Sequence, residues 1–165
     1  MKTLIVLAVL AVGGAWATSF DWGAHAGIMM PSGDAGEVYG GLNPMFGANI
    51  LVHLPTVAVE GSIDYCILSS EHDEDDWSAY TIPIIAGVRS YTGSLFLGGG
   101  GGFYLSSHEF MADTGKVTSS SDDLGAYGNA GAIFRAGSTE IEGSLKLHWV
   151  SFEDIWLSLT VGLYF

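Results

Sequence analysis

The stretch IEGSLKLHW, residues 141–149, alternates without exception: Ile141, Gly143, Leu145, Leu147 and Trp149 fall in one phase, and Glu142, Ser144, Lys146 and His148 in the other. A period of two belongs to a β-strand, because successive side chains leave opposite faces of the pleat. The final segment repeats the pattern. Ile155, Leu157, Leu159, Val161, Leu163 and Phe165 share a phase opposed by Trp156, Ser158, Thr160, Gly162 and Tyr164.

Working upstream, the same test predicts six more strands, at about residues 20–30, 42–54, 57–68, 79–89, 95–105 and 124–135. Their apolar phases include Trp22 and Ile28, Phe46 and Ile50, Ile63 and Tyr65, Tyr80 and Ile84, Leu97 and Phe103, and Ala126 and Phe134. No charged residue enters any of them; Asp21, Glu60, Asp64, Arg89, Arg135, Glu140, Glu142 and Lys146 all fall in the opposite phase. Each segment has about the length that crosses a bilayer as a tilted strand. Alternation alone does not separate a membrane barrel from a soluble sandwich, since the two differ only in which phase faces out.

The connectors discriminate. Pro55-Thr56, Ser90 to Ser94 and Ala136 to Thr139 are short, whereas PSGDAGEVYGG, SSEHDEDDWS, SHEFMADTGKVTSSSDD and VSFED are longer or more acidic. Short turns alternating with long loops are the pattern of an outer-membrane barrel. Aromatics such as Phe20, Trp22, Tyr80, Phe103, Phe134, Trp149 and Phe165 occupy the apolar phase mostly near segment ends, as interfacial girdles do, although Phe46 and Tyr65 lie deeper in their segments. The stretch LFLGGGGGFYL, residues 95–105, has neither the following helix and Lys-Ser/Thr pair of a phosphate loop nor the polar neighbours of a linker. It is read as the fifth strand, with Gly99 and Gly101 toward lipid and Gly98, Gly100 and Gly102 toward the lumen. Pro83, which cannot donate to a ladder, together with the Ile84-Ile85 pair predicts a bulge near residues 83–85.

At the N-terminus, Lys2 precedes an apolar run that ends in Ala15-Trp16-Ala17, a small-x-small cleavage site. Residues 1–17 are therefore read as a secretory signal and residues 18–165 as the barrel domain. The expected mature chain carries Arg89, Lys116, Arg135 and Lys146 against 18 acidic residues, a balance that argues against nucleic-acid binding. The single cysteine, Cys66, excludes an internal disulfide framework.

The signal sequence, the eight alternating segments, the glycine-rich fifth strand and the C-terminal LSLTVGLYF together resemble the small eight-stranded outer-membrane β-barrels, the OmpA/OmpX-type family. The resemblance implies an all-β, antiparallel, up-and-down transmembrane barrel, monomeric, in the outer membrane of a Gram-negative-type cell, with both termini periplasmic. It further implies that Val161, Leu163 and Phe165 form the signal read by the barrel-assembly machinery, and that outer-membrane lipid and lipopolysaccharide are partners.

A barrel of eight strands is just wide enough to be filled by side chains, which argues against a porin-like channel. Glu60, Asp64, Arg89, Arg135, Glu140, Glu142, Lys146 and His148, with His25 and His53, are expected to form a polar network in the lumen, because buried charges require partners. Glu71, Asp73, Glu74, Asp75 and Asp76 offer hard oxygen ligands to divalent cations, without the glycine-spaced order of a dedicated Ca²⁺ loop. His148, Ser151 and Glu153 form the best catalytic-looking trio, but their spacing does not match the His-x-Ser arrangement of lipid A deacylases. The expectation is a non-enzymatic protein without cofactor, with a structural or surface-interaction role carried by acidic loops. The alternative is capture or passage of a small apolar ligand through the lumen, with space provided by Gly98, Gly100 and Gly102.

Overall fold

The computed structural model describes residues 19–69, 78–112, 115–137 and 139–165. Eight strands appear in chain order: β1 (Ser19–Pro31), β2 (Asn43–His53), β3 (Ala58–Leu68), β4 (Ser78–Thr92), β5 (Leu95–Ala112), β6 (Gly115–Ala136), β7 (Thr139–Val150) and β8 (Asp154–Tyr164). A one-turn helix, α1 (Asp34–Val38), follows β1. Each strand pairs antiparallel with its sequence neighbour, and β8 returns to β1, so the sheet closes into a barrel with no edge inside the apolar belt. The expected signal segment lies outside the described residues.

One end of the barrel carries the tight β2–β3, β4–β5 and β6–β7 connections. Leu54 N–H donates to the Val57 carbonyl at 2.8 Å in the first, and Gly93 and Gly137 adopt φ values of 63° and 68° in the others, a conformation glycine reaches without penalty. This is called the turn end, and the opposite one the loop end.

The phase of each strand is inside-out relative to a soluble protein. Trp22, Phe46, Leu97, Leu124, Leu159 and Val161 stand on the outer wall and are 50–68% exposed, whereas Glu60, Asp64, Arg89, Glu142 and Lys146 point inward and are at most 3% exposed. Only a surrounding apolar medium makes that arrangement stable, because an uninterrupted outer belt of this kind far exceeds the apolar patches of soluble proteins. Phe46, Tyr65 and Tyr80 stack in one row across β2, β3 and β4, with centroid separations of 5.4 and 5.3 Å. Phe46 pairs with Tyr65 in register one pair below the loop-end limit of the β2–β3 ladder, so both residues belong to the loop-end girdle and are not deep. Trp22 and Phe165, 5.3 Å apart, lie at the turn end.

Two local expectations are corrected. First, there is no register-shifting bulge at residues 83–85. The β4–β5 ladder runs unbroken through Pro83↔Tyr104, Ile84↔Phe103 and Ile85↔Gly102. Toward β3, Ile63↔Ile84 and Cys66↔Thr81 share one register, and only the two intervening pairs are missing from the ladder. Pro83 thus interrupts pairing on the β3 side without inserting a residue, and Ile85 simply takes the inward phase, 2% exposed. Second, residues 107–112 and 115–123 are strand and not loop. β5 and β6 remain paired from Ser106↔Ser121 to Ala112↔Gly115, forming a ribbon that continues beyond the apolar belt, whose last outward residues here are Leu105 and Leu124. Above the belt the outward phase becomes polar, which is why a search for apolar alternation stops there.

The glycines of β5 are explained by close approach. A Cβ at Gly100 would overlap the Ala86 carbonyl oxygen and the Gly87 Cα, and one at Gly102 the Ile84 carbonyl oxygen. The wall is therefore bent too sharply here for a side chain on its inner face. By contrast, a Cβ at outward Gly143 meets nothing within 4 Å. We expect Gly100→Ala to reduce the folded, heat-modifiable fraction on refolding into lipid vesicles, by about 1–3 kcal/mol of overpacking, while Gly143→Ala leaves it unchanged; equal yields for the two variants would remove close approach as the explanation.

Candidate functional site

The lumen is built in layers, because every second residue of each strand points into it. Nearest the turn end, Arg89 of β4 donates through Nε to Glu60 of β3 and through a terminal nitrogen to Glu142 of β7, the latter at 2.5 Å. Its guanidinium also lies 4.4 Å from the Phe96 ring centroid. Glu60 receives further hydrogen bonds from the Tyr127 hydroxyl and, at 3.3 Å, from the Asn129 amide. One cation thus bridges two carboxylates from strands on different sides of the barrel, and each carboxylate is buried, as a stable ionic cluster requires.

In the middle layer Asp64 bonds His25 at 2.7 Å and accepts from the Ser62 hydroxyl at 2.8 Å. Lys146, 2% exposed, holds its Nζ 5.9 Å from the Tyr127 ring centroid. His148 bonds Tyr104 at 2.8 Å and Ser158 at 3.0 Å, and Ser144 bonds Thr160 at 2.7 Å. Above these polar layers, Met29, Met45, Leu68, Ala79, Val150 and Trp156 form an apolar lid against which Ala35 and Tyr39 pack. Cys66 is buried in this layer.

The inward set does not form a single network. Glu60, Asp64, Arg89, Glu142, Lys146 and His148 lie within the lumen, but Arg135 and Glu140 form a separate pair at the turn-end rim, 2.6 Å apart, with Arg135 80% exposed. His53 and Asp21 pair at 2.7 Å toward the same end. Arg135 and Glu140 share the inward phase, but phase carries no height, and the last residues of a strand reach water whichever way they point. Tyr104, Tyr127 and Asn129 supply hydrogen bonds that the reading of charges overlooked, although they share the inward phase.

Gly98, Gly100 and Gly102 do not open a ligand space beside them. A Cβ at Gly98 would meet the Asn129 amide oxygen and Arg89 Cγ, so those side chains already use the gap. The trio His148, Ser151 and Glu153 is not assembled: His148 is in the lumen, and the Ser151 hydroxyl donates to Asp123 at 2.7 Å. Val161, Leu163 and Phe165 face outward on and just beyond β8, 44–59% exposed, and Phe165 exchanges backbone hydrogen bonds with Trp22. Residues 71–76 lie outside the described residues.

At the loop end, Ser151 N–H donates to the Leu124 carbonyl at 3.1 Å, the last such contact between β6 and the β7–β8 connection. Because backbone groups alternate sides along a strand, the N–H and C=O groups of Thr118, Ser120 and Asp122 then point to the side of β6 that β7 does not reach. The Tyr39 hydroxyl lies 3.0 Å from His108 Nε2, with the two rings stacked at 5.3 Å. Burial holds the His108 imidazole below its ordinary titration range.

Solved structures of small outer-membrane barrels share this architecture. Neisserial surface protein A (NspA) superposes with a TM-score of 0.59 at 13% identity, covering 90% of this chain and 97% of that one. The N-terminal β-barrel domain of Pseudomonas aeruginosa OprF gives 0.57 at 11% identity, covering 88% and 97%. Ail, the attachment invasion locus protein of Yersinia pestis, in complex with the heparin analogue sucrose octasulfate, gives 0.61 at 16% identity, covering 89% and 97%. No family model and no curated protein matches the chain in sequence. The chain therefore has the fold of the eight-stranded outer-membrane barrels.

Arg89→Met would leave Glu60 and Glu142 buried without their shared cation, at an expected cost of about 3–5 kcal/mol, read as a lower urea midpoint in lipid vesicles. Combining it with Glu60→Gln and Glu142→Gln should recover most of that loss; equal midpoints for the single and triple variants would show that charge pairing is not the cause. For His108, the docked form binds its proton more weakly than the undocked form. The contact with Tyr39 therefore contributes stability above the ordinary histidine pKa and loses it as the pH falls below that value. Hydrogen exchange at the α1 amides should accelerate, beyond the intrinsic rate change, between pH 7.5 and 5, and His108→Gln should abolish that dependence.

Proposed function

We propose that this chain is an outer-membrane protein with its turn end toward the periplasm, and that it acts by surface interaction through its loop end. The observation that carries this reading is the raised β5–β6 ribbon, which places an unpaired strand edge beyond the apolar belt while the lumen beneath is filled. An exposed edge is a template for adding an extended strand from a partner. The lumen's ion pairs and apolar lid count against passage of a small ligand, and the absence of an assembled His148, Ser151 and Glu153 trio counts against lipid hydrolysis at that position.

Charge selects the kind of partner. The edge is flanked by Asp122, Asp123, Glu153 and Asp154, and of the four basic residues after Lys2 only Lys116 belongs to the loop end. Ail has been solved with a polyanionic heparin analogue, but an acidic edge would repel such a ligand. A basic extended peptide fits instead, its backbone pairing with Thr118 to Asp122 and its cations meeting the carboxylates. A second copy of this chain fits poorly, since two copies upright in one membrane would set like carboxylates side by side. Divalent cations or lipopolysaccharide would compete for the same carboxylates.

The test is strand addition itself. The folded barrel in micelles should bind an alternating Lys-Val decapeptide, and Ser120→Pro, which removes an edge donor and no ladder bond, should weaken that binding at least tenfold with heat-modifiability retained. Binding unchanged by Ser120→Pro would sink strand addition and leave only charge attraction.

A further inference from the structure

At the turn end a cavity of about 580 Å³ straddles the rim of the barrel. Its lining mixes the two faces of the wall: His53, Tyr91, Arg135 and Glu140 belong to the inward phase, whereas Phe134 stands on the outer wall, 64% exposed. The charges in this lining balance. Arg135 and Glu140 oppose each other in the β6–β7 ladder and bond through Arg135 Nε and one Glu140 oxygen at 2.6 Å. That bond leaves the two terminal nitrogens of Arg135 and the second oxygen of Glu140, on side chains 80% and 22% exposed. Ile133 N–H donates to the Ser94 carbonyl at 2.8 Å, which fixes the neighbouring wall, and the His53 and Tyr91 rings, 5.9 Å apart, stand on the inner side.

Directly outside this rim the wall has little bulk. In the outward phase Ala132 lies between Leu95 and Gly143, Ala130 between Leu97 and Leu145, and Gly128 between Gly99 and Leu147. A Cβ at Gly143 would meet nothing within 4 Å, and farther along Gly128, Ala130, Leu145 and Leu147 line a hollow of about 240 Å³. A furrow floored by small residues thus runs from beside Phe134 toward mid-barrel. From Arg135 to Gly128 the chain covers roughly 23 Å of strand, or roughly 18 Å along the membrane normal at a tilt near 40°. That is about the depth of one leaflet.

We propose that this rim and furrow hold one diacyl phospholipid with a zwitterionic headgroup of the phosphoethanolamine class. The phosphate would accept from the terminal nitrogens of Arg135, the ammonium would donate to the second oxygen of Glu140, and one acyl chain would lie in the furrow. A balanced pair selects a headgroup that carries both signs, laid against it in the opposite order. An anionic headgroup gains Arg135 only by facing Glu140, and a quaternary ammonium has no N–H to donate. A soluble zwitterion would leave the furrow unused. The site is independent of the strand-edge reading, since it lies at the opposite end of the barrel, and it serves whichever leaflet meets the turn end.

The test uses the folded barrel in nonionic micelles, titrated in turn with the dihexanoyl forms of phosphatidylethanolamine, phosphatidylglycerol and phosphatidylcholine and followed by NMR at the Gly143 amide and Arg135 Nε. We expect phosphatidylethanolamine to saturate, to shift both signals, and to bind about tenfold more tightly than the other two. Glu140→Gln should remove that preference, and Arg135→Gln should weaken all three lipids. Gly143→Leu, which fills the furrow and touches neither charge, should weaken phosphatidylethanolamine about tenfold with heat-modifiability retained, so it tests the site even where a rim change disturbs the turn. Glycerophosphoethanolamine, the headgroup without chains, should bind weakly to every form. The proposal is overturned if phosphatidylethanolamine does not saturate, if the three lipids bind alike, if Gly143→Leu leaves its affinity unchanged, or if the free headgroup binds as tightly as the lipid.

Discussion

In a barrel this narrow, each large inward side chain needs a matching void on a nearby strand, and most of the structure follows from that pairing. Tyr127 lies where a Cβ at Gly87 would be, Phe96 over Gly131, Tyr104 over Gly125, and Asp64 and His25 over Gly47. Inward glycine is therefore the socket for an inward aromatic or charged group, the small-and-large complementarity by which closed barrels fill their interiors. The ion cluster depends on it too, because Arg89 reaches Glu60 and Glu142 past an inner face that Gly98 keeps bare.

The same complementarity limits what the interior can do. With polar layers near the turn end and an apolar lid near the loop end, the lumen supports the shape of the wall more than it conducts. Chemistry is then left to the two mouths. At one, backbone groups of β6 stand without a neighbouring strand among the described residues; at the other, His53, Tyr91, Arg135 and Glu140 line an open cavity.

Much of this was legible from alternation, because a pleated strand between lipid and lumen leaves no freedom in side-chain phase. The eight segments, the inward charges and the outward aromatics each follow from position parity. What parity does not encode is height along the barrel axis, so Arg135 and Glu140 could not be separated from Glu60 and Glu142. Nor could an apolar pattern reveal the upper ribbon of β5 and β6, where Ser and Thr pair through backbone alone. The Pro83 expectation failed for a related reason: a missing donor can be absorbed as a gap in one ladder while the other ladder holds the register. Likewise the partners of the charges, Tyr127 and Asn129, are set by distances across the lumen that no local pattern records.

The bridge from Glu60 through Arg89 to Glu142 also bears on how the molecule comes into being. Its second link joins residues 53 apart, and the first joins residues 29 apart. Neither carboxylate of the pair gains its final surroundings until β7 has met β6 and β8 has met β1. Until then the charged inner face belongs to an open, curling sheet and must stay hydrated, while the outer face already prefers hydrocarbon. Closure and dehydration are thereby a single event, placed late by the long loops it must close. A half-built sheet of this sequence is a poor membrane resident, and that intolerance favours all-or-none entry into the bilayer.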